Sequence, residues 1–329
     1  MNYLDNDNVS VLTFGEPLIS LAHEGNESLF LKRTFTADCA GAELNTAIAL
    51  GRLGIPVAYA AALGADPFGD LLIRELRAEG VDVSRVERVG SEVTGVLFKF
   101  QSGLQTNPHV FYYRSETPMG QGMWNIDRCV TDLQGRKFSW MHSTGITWML
   151  SRETHQQAQD ILLAAHESGI SISFDINVRL KLADPEVWLD LLKEVIPYVD
   201  WFFIGDSEAQ LLLSLDDVKD ITEVLQSYGF RGEGVILKQG EHGATAFHAG
   251  SEMHIAALPV DKVVDTVGAG DGFNAGVIAG LLQGWSLEKA LKLASIIGAH
   301  AVTSLGDSSG YPMWSAIAHY FTGDEEVAR

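Results

Sequence analysis

The sequence predicts a doubly wound α/β fold: a mostly parallel sheet flanked by helices, with a small β-sheet lid attached to it. Three observations carry that expectation. Short apolar runs rich in β-branched and aromatic residues alternate with longer segments whose apolar residues recur at helical spacing, the pattern of strands joined by crossover helices. Two stretches, 18–35 and 92–114, interrupt the alternation with strand-like runs of their own. The string Asp265-Thr266-Val267-Gly268-Ala269-Gly270-Asp271-Gly272-Phe273-Asn274 then places small residues and a carboxylate at the start of an apolar helix.

In chain order, residues 9–14 read as a buried strand ending at Gly15-Glu16, and a helix over 42–53 leads to a second strand at 57–63. A helix at 68–79, a strand at 138–142, a helix at 152–167, a strand at 170–176, a helix at 186–198 and strands at 201–204 and 234–238 follow. Helices at 270–282 and 287–303 come last. Sheets of this kind bind ligands at the carboxyl ends of their strands. Within the interruptions, 95–100 and 109–114 read as antiparallel strands around a polar turn. So small a sheet cannot bury both faces alone, so it should cover the site, pack on another subunit, or do both.

The 329 residues are 46% hydrophobic and 20% charged, the balance of a globular protein with a large core. Residues 1–8 are acidic and polar with no basic stretch ahead of an apolar run, and no segment is long and apolar enough to span a bilayer, which points to the cytoplasm. Cys39 and Cys129 make neither a disulfide framework nor a zinc cluster and read as buried small hydrophobes. A net charge of −20 argues against nucleic acid and anionic membrane as partners, since both require a basic surface. An anionic ligand would therefore need Arg, Lys or Mg²⁺ concentrated in one cleft.

The Gly268-Ala269-Gly270 turn should offer its backbone N–H groups and the helix dipole to an anion. An acid there, Asp271, is out of place as an anion ligand. It makes sense as a base facing a substrate hydroxyl while the N–H groups hold the charge of a migrating phosphoryl group; the alternative is a capping residue. The Walker pattern GxxxxGK[ST] is absent, and the first strand ends Phe14-Gly15-Glu16-Pro17 without the GxGxxG of dinucleotide enzymes.

The whole string resembles the signature of the ribokinase-like carbohydrate kinases, the PfkB family, and the resemblance at fold level runs from about residue 9 to about residue 305. It implies a single kinase domain over 1–329 with lid insertions at about 18–35 and 92–114, and a homodimer formed through the lid. It implies Asp271 as catalytic base, Gly268, Ala269 and Gly270 as the anion hole, and ATP and Mg²⁺ as cofactors, with a monovalent cation admitted beside them. Lys238-Gln239-Gly240-Glu241-His242-Gly243, by itself a hairpin turn, is similar to the family segment that flanks the nucleotide, so Lys238, Gly240, Gly243 and Asn274 are assigned to ATP. Glu208 matches the acid that orients Mg²⁺ through water, although Gly205 replaces the family's Asn; by itself Glu208 reads as a first-turn helix carboxylate.

On the substrate side, Glu16 and the pair Gly41 and Asn45 stand where the family contacts sugar hydroxyls. The form Ala40-Gly-Ala-Glu-Leu-Asn45 resembles 2-keto-3-deoxygluconate kinases, as do His142-Ser-Thr-Gly-Ile146, Tyr112-Tyr-Arg114 and Asp175-Ile-Asn-Val-Arg179. The resemblance makes Tyr112, Arg114 and Arg179 the determinants for the carboxylate of a sugar acid, a group suited to bidentate Arg. Leu97 stands where that subgroup often carries a lid tyrosine, and Glu116 beside Arg114 would weaken a carboxylate site. The implied activity is ATP-dependent phosphorylation of the terminal hydroxyl of a sugar acid. A fructokinase or another ribokinase-like sugar kinase is the alternative, and a non-catalytic sugar sensor stands behind both.

Overall fold

A computed structural model describes residues 10–23, 32–100 and 109–321. The polar N-terminal residues 1–8, the expected strand start at Val9, part of the first insertion (24–31) and the polar turn of the second (101–108) lie outside the described residues.

The chain forms β1 (Val11–Phe14), β2 (Leu18–His23) and β3 (Phe35–Ala40), then α1 (Ala42–Arg52), β4 (Val57–Gly64), α2 (Pro67–Ala78) and β5 (Asp82–Val89). Next come β6 (Gly95–Phe100), β7 (His109–Tyr113), α3 (Asp127–Gln134), β8 (Trp140–Thr144), the short α4 (Gly145–Trp148), α5 (Arg152–Glu167) and β9 (Ser171–Asp175). They are followed by α6 (Pro185–Val195), β10 (Trp201–Gly205), α7 (Asp206–Leu213), α8 (Val218–Ser227), β11 (Gly234–Lys238), β12 (Ala244–His248) and β13 (Ser251–Ile255). Helices α9 (Ala269–Leu282), α10 (Leu287–Ala301) and α11 (Trp314–Ile317) come last.

Nine strands make one sheet in the order β13-β12-β11-β10-β9-β8-β1-β4-β5. The pairs from β11 to β5 are parallel, and β12 and β13 add antiparallel strands at one edge. Strands β1, β4 and β8 are buried along their whole length, the reason they read as unbroken apolar runs. Strand order turns at β1: β4 and β5 step to one side and β8 to β11 to the other. The loops leaving β1 and β8 therefore diverge and open a crevice at their carboxyl ends. Helix α9 packs on α10 backbone to backbone, since a Cβ on Gly276 would stand 2.5 Å from Ala294 Cα.

The second sheet has the order β3-β2-β6-β7. Its strand β6 alternates: Gly95, Leu97 and Lys99 are buried, and Val96, Phe98 and Phe100 are half-buried. Phe35, Phe98, Phe100, Phe111 and Tyr113 form an aromatic cluster, with Phe111 and Tyr113 54% and 66% exposed.

The expected fold is the observed one, with differences of detail. Strand β5 was not foreseen because Asp82-Val-Ser-Arg-Val-Glu-Arg-Val carries the charges of an edge strand rather than the apolar run of a central one. The first insertion reaches Ala40, since β3 pairs antiparallel with β2 beyond residue 35. Helices α3, α7 and α8 are also additions. Cys39 and Cys129 are free and buried, and burial pushes both thiols up to about 12. Among the described residues no helix is long and apolar enough to cross a membrane.

Candidate active site

The crevice at the strand ends holds a cavity of about 250 Å³. Its walls come from the ends of β1 (Glu16), β9 (Asp175, Asn177) and β11 (Lys238), from the start of α1 (Gly41, Asn45), from the small sheet and the residue after it (Leu97, Tyr112, Arg114), and from the turn into α9.

That turn depends on Gly268. Its φ is +80°, and a Cβ there would lie 1.8 Å from the Asp307 carbonyl oxygen, so both conformation and space exclude any other residue. The Tyr311 hydroxyl donates to the Gly268 carbonyl at 2.6 Å and steadies the turn from behind. Gly268, Gly270 and Asp271 line the cavity, with their N–H groups in the first helical turn where no intrahelical acceptor is available. Ala269, expected in the anion hole, opens the helix between them but does not line the cavity, and its N–H donates to the Thr266 carbonyl at 3.4 Å.

Asp271 Oδ2 accepts a 2.8 Å hydrogen bond from Asn45 Nδ2, and Asn177 Nδ2 lies 3.5 Å from Oδ1. The residue keeps partial exposure at the cavity wall, yet lost hydration pushes its carboxyl from 3.8 up to about 7. Asn45, Lys238 and Arg179 oppose that rise, and the neighbouring Asp175 adds to it. Asn177 is held at φ +47°, a left-handed conformation that Asn tolerates better than most residues, and it turns the chain beside the carboxylate.

A second polar group lies beside Asp271. Asp175 Oδ2 receives Lys238 Nζ at 2.5 Å and Asn274 Nδ2 at 2.6 Å, whereas its buried Oδ1 has no partner. Asn274 is fully buried and supports Asp175 instead of lining the cavity. Glu208 also stands off the cavity, with Oε2 accepting from the Gly205 N–H at 2.7 Å and Oε1 from the Val178 N–H at 2.6 Å. Burial and Asp175 raise its pKa against Lys238 and these two amides. Gly240 and Gly243 sit beyond Lys238 in the turn between antiparallel β11 and β12, the hairpin that their sequence suggests by itself. Neither is in the cavity wall.

On the small-sheet side, Arg114 forms an ion pair with the buried Glu16, whose other oxygen accepts from the Thr117 hydroxyl. Burial raises the Glu16 pKa in spite of both partners. The guanidinium also lies over the Tyr112 ring, 5.6 Å from its centroid. The expected interference from Glu116 is not seen: that side chain is exposed, and the partner of Arg114 is Glu16, brought from the first strand. Gly41, at φ +138°, begins α1 under Glu16. Arg179 lines the cavity from the loop after β9, and its Nη1 donates to the Val178 carbonyl at 2.9 Å.

A carboxylic acid near neutrality, beside unpaired N–H groups at a helix start, in a cavity with Lys and Arg, is equipped to take a proton while charge builds on a transferred group. Residues 10–314 match the pfkB family carbohydrate kinases. The chain belongs to that family. This carbohydrate kinase is 34% identical to the 2-dehydro-3-deoxygluconokinase of Bacillus subtilis (strain 168), over 97% of this chain and 97% of that protein. It is 30% identical to the 2-dehydro-3-deoxygluconokinase of Thermoproteus tenax, over 92% and 91% respectively. Among solved structures it is similar to an E. coli ribokinase II candidate in complex with ATP and Mg²⁺, with a TM-score of 0.83, 25% identity and coverage of 95% of this chain and 99% of that one.

The site of this kinase also holds residues that the sequence did not single out. Asp175 and Asn177 belong to the Asp175–Arg179 string, where the two-residue spacing at a strand end signals one shared side. Glu43, 1% exposed, lines the cavity and accepts from the hydroxyls of Thr144 and Thr147 at 2.8 and 2.7 Å, which ties α1 to the end of β8. Nothing in the local sequence marks Asp307, which reaches the cavity from the loop after α10.

Proposed function

We propose that this kinase transfers the γ-phosphoryl group of ATP to the terminal hydroxyl of 2-keto-3-deoxygluconate, the sugar acid also called 2-dehydro-3-deoxygluconate. The observation that carries the reading is one cavity lined both by Asp271 with its glycine turn and by Tyr112, Arg114 and Arg179. Likeness over nearly the full length to kinases named for this substrate supports it.

In this mechanism Asp271 orients the sugar hydroxyl and accepts its proton late, as the new P–O bond forms. A carboxylate suffices, because phosphoryl transfer depends on alignment and charge stabilisation more than on base strength. Asn45 and Asn177 hold the carboxylate in place. The N–H groups of Gly270 and Asp271 stabilise the phosphoryl oxygens, and Lys238, steered by Asp175, adds positive charge beside them. Arg114, Arg179 and Tyr112 take the sugar carboxylate, with Glu16, Gly41 and Asn45 facing its hydroxyls.

The residues present fit Mg²⁺. Among the described residues no cluster of three or more His, Cys, Asp or Glu could hold a metal. An ion carried mainly by phosphates and water needs only one or two carboxylates: the unpartnered Asp175 Oδ1 would supply one, and the nearby Glu208, its oxygens held by two amides, would act through water. When bound, Mg²⁺ neutralises charge on the phosphates. The half-exposed aromatic face of the small sheet is suited to pack against a second copy of the chain, giving a homodimer that sedimentation would detect.

Leu97 in the cavity wall and the engagement of Arg114 by Glu16 favour a second reading, a kinase for a neutral sugar such as fructose. Coupled assay of ADP release with 2-keto-3-deoxygluconate, 2-keto-3-deoxygalactonate, fructose and ribose decides between them. The sugar acid should give the highest kcat/KM, and a preference for fructose would overturn the assignment.

A further inference from the structure

Lys99 is a buried charge for which the mechanism above has no use. The alternation of β6 turns it to the same side as Leu97, toward the cavity loops, and leaves it 5% exposed. Its ammonium pairs with Asp307 and lies 3.8 Å from Asp265 Oδ2, which has no hydrogen-bond partner. Asp38 on β3 adds a third carboxylate to the field around Lys99 and accepts from Ser309 Oγ at 2.8 Å.

These acids flank the glycine turn. Asp265 Oδ1 accepts from the Val267 N–H at 3.0 Å, which fixes the chain one residue before Gly268. The Asp307 carbonyl packs against Gly268 itself. Without an internal cation, buried carboxylates would repel one another and every phosphate brought to the turn. Burial works against the Lys99 charge, but Asp307, Asp265 and Asp38 outweigh it and raise the pKa, so the side chain stays protonated.

We propose that Lys99 is a positioning residue, the built-in cation of the anion turn: it neutralises the acids behind the turn and makes the turn's geometry depend on the small sheet being seated. The role rests on the phosphoryl-transfer reading above. It adds that this kinase needs no added monovalent cation, because the sheet carries the cation in.

The test compares wild type, Lys99→Ala and the double variant Lys99→Met with Asp307→Asn. Each is assayed in choline, potassium and methylammonium chloride at equal ionic strength, with ADP affinity measured by calorimetry and melting temperature recorded. Wild-type turnover should vary by less than about twofold among the salts, while Lys99→Ala loses about 10- to 1000-fold in kcat/KM for ATP and regains at least about fivefold in methylammonium or potassium. ADP affinity should fall and recover in the same way. The double variant, in which Asp307 is neutralised with its partner and Asp265 is left without a cation, should melt above Lys99→Ala yet remain at least about tenfold slower than wild type, because nothing pins the turn.

Full turnover in either variant overturns the proposal, as does a loss that no cation repairs or a many-fold stimulation of wild type by potassium. If wild type phosphorylates no sugar, the proposed function fails instead, and the ADP measurements still decide the role of Lys99.

Discussion

The wall that carries Asp271 and the wall that carries Arg114 are held in different ways. Asp271 belongs to α9, whose residues from Gly272 to Gly280 are buried, and Asn45 and Thr46 of α1 reach it by hydrogen bonds. Arg114 follows β7, where all but one residue is exposed, and its tie to the body is the ion pair with Glu16. The first wall is preorganised by the core, so its groups are aligned before any ligand binds. The second rides on a small sheet whose outer strand β7 is exposed, where local opening is easiest, while its inner strand β6 reaches the first wall through Lys99.

Breaking the rigid wall should have the largest effect. Asp271→Asn should lower kcat by ~10²–10⁴ while ATP and sugar binding stay near wild type, measured by steady-state kinetics and calorimetry. A variant with more than half of wild-type turnover removes Asp271 from the base role.

On the selecting wall, Arg179→Ala should lower kcat/KM for 2-keto-3-deoxygluconate by an amount equivalent to ~1.5–3 kcal/mol and change fructose phosphorylation far less. Equal damage to both sugars would count against a carboxylate site. Arg114→Ala should differ by impairing both sugars and lowering the melting temperature, since it leaves Glu16 buried without its cation.

Acid–base behaviour sharpens the contrast. The Asp271 carboxyl is raised from 3.8 to about 7, so its stabilising contribution is complete below 3.8 and is lost as pH rises through about 7. Asp271→Asn should therefore match wild-type stability near pH 4 and exceed it at pH 8 by about 1–3 kcal/mol in chemical denaturation. Wild-type activity should run the opposite way, rising with pH toward a plateau above about 7, because catalysis needs the ionised form. A flat profile across that range would remove the link.

The smallest effect should be in the sheet itself. Amide exchange in β6 and β7 should slow by about tenfold or less when sugar and nucleotide are bound, while α9 changes little. Identical exchange with and without ligands would make the sheet a fixed structure instead of a cover.

Much of the fold was legible because its signals are local. Buried parallel strands read as apolar runs and helices as a 3.6-residue period, whereas the face of β6 that carries Lys99 did not read from the sequence, because its charged residue is the buried one and its phenylalanines are half-buried. Strand β5 was missed because an edge strand needs no apolar run. The Asp271 turn was legible because Gly268, Gly270 and Asp271 are neighbours in sequence, and the resemblance of the whole string to the pfkB signature set the base role above a capping role.

By itself, then, the sequence determined the α/β alternation, the glycine turn with its acid, and the presence of arginines near a small sheet. Tertiary structure alone decided which groups meet. Asp175, Lys238 and Asn274 converge from β9, β11 and α9, and Arg114 finds Glu16 across the fold instead of the adjacent Glu116. Lys99 likewise meets Asp265 and Asp307 from loops far along the chain. Residue spacing encodes the conformation of a segment, but these meetings depend on the order of strands in the sheet and on burial, which strengthens each charge pair only after the chain has closed around it.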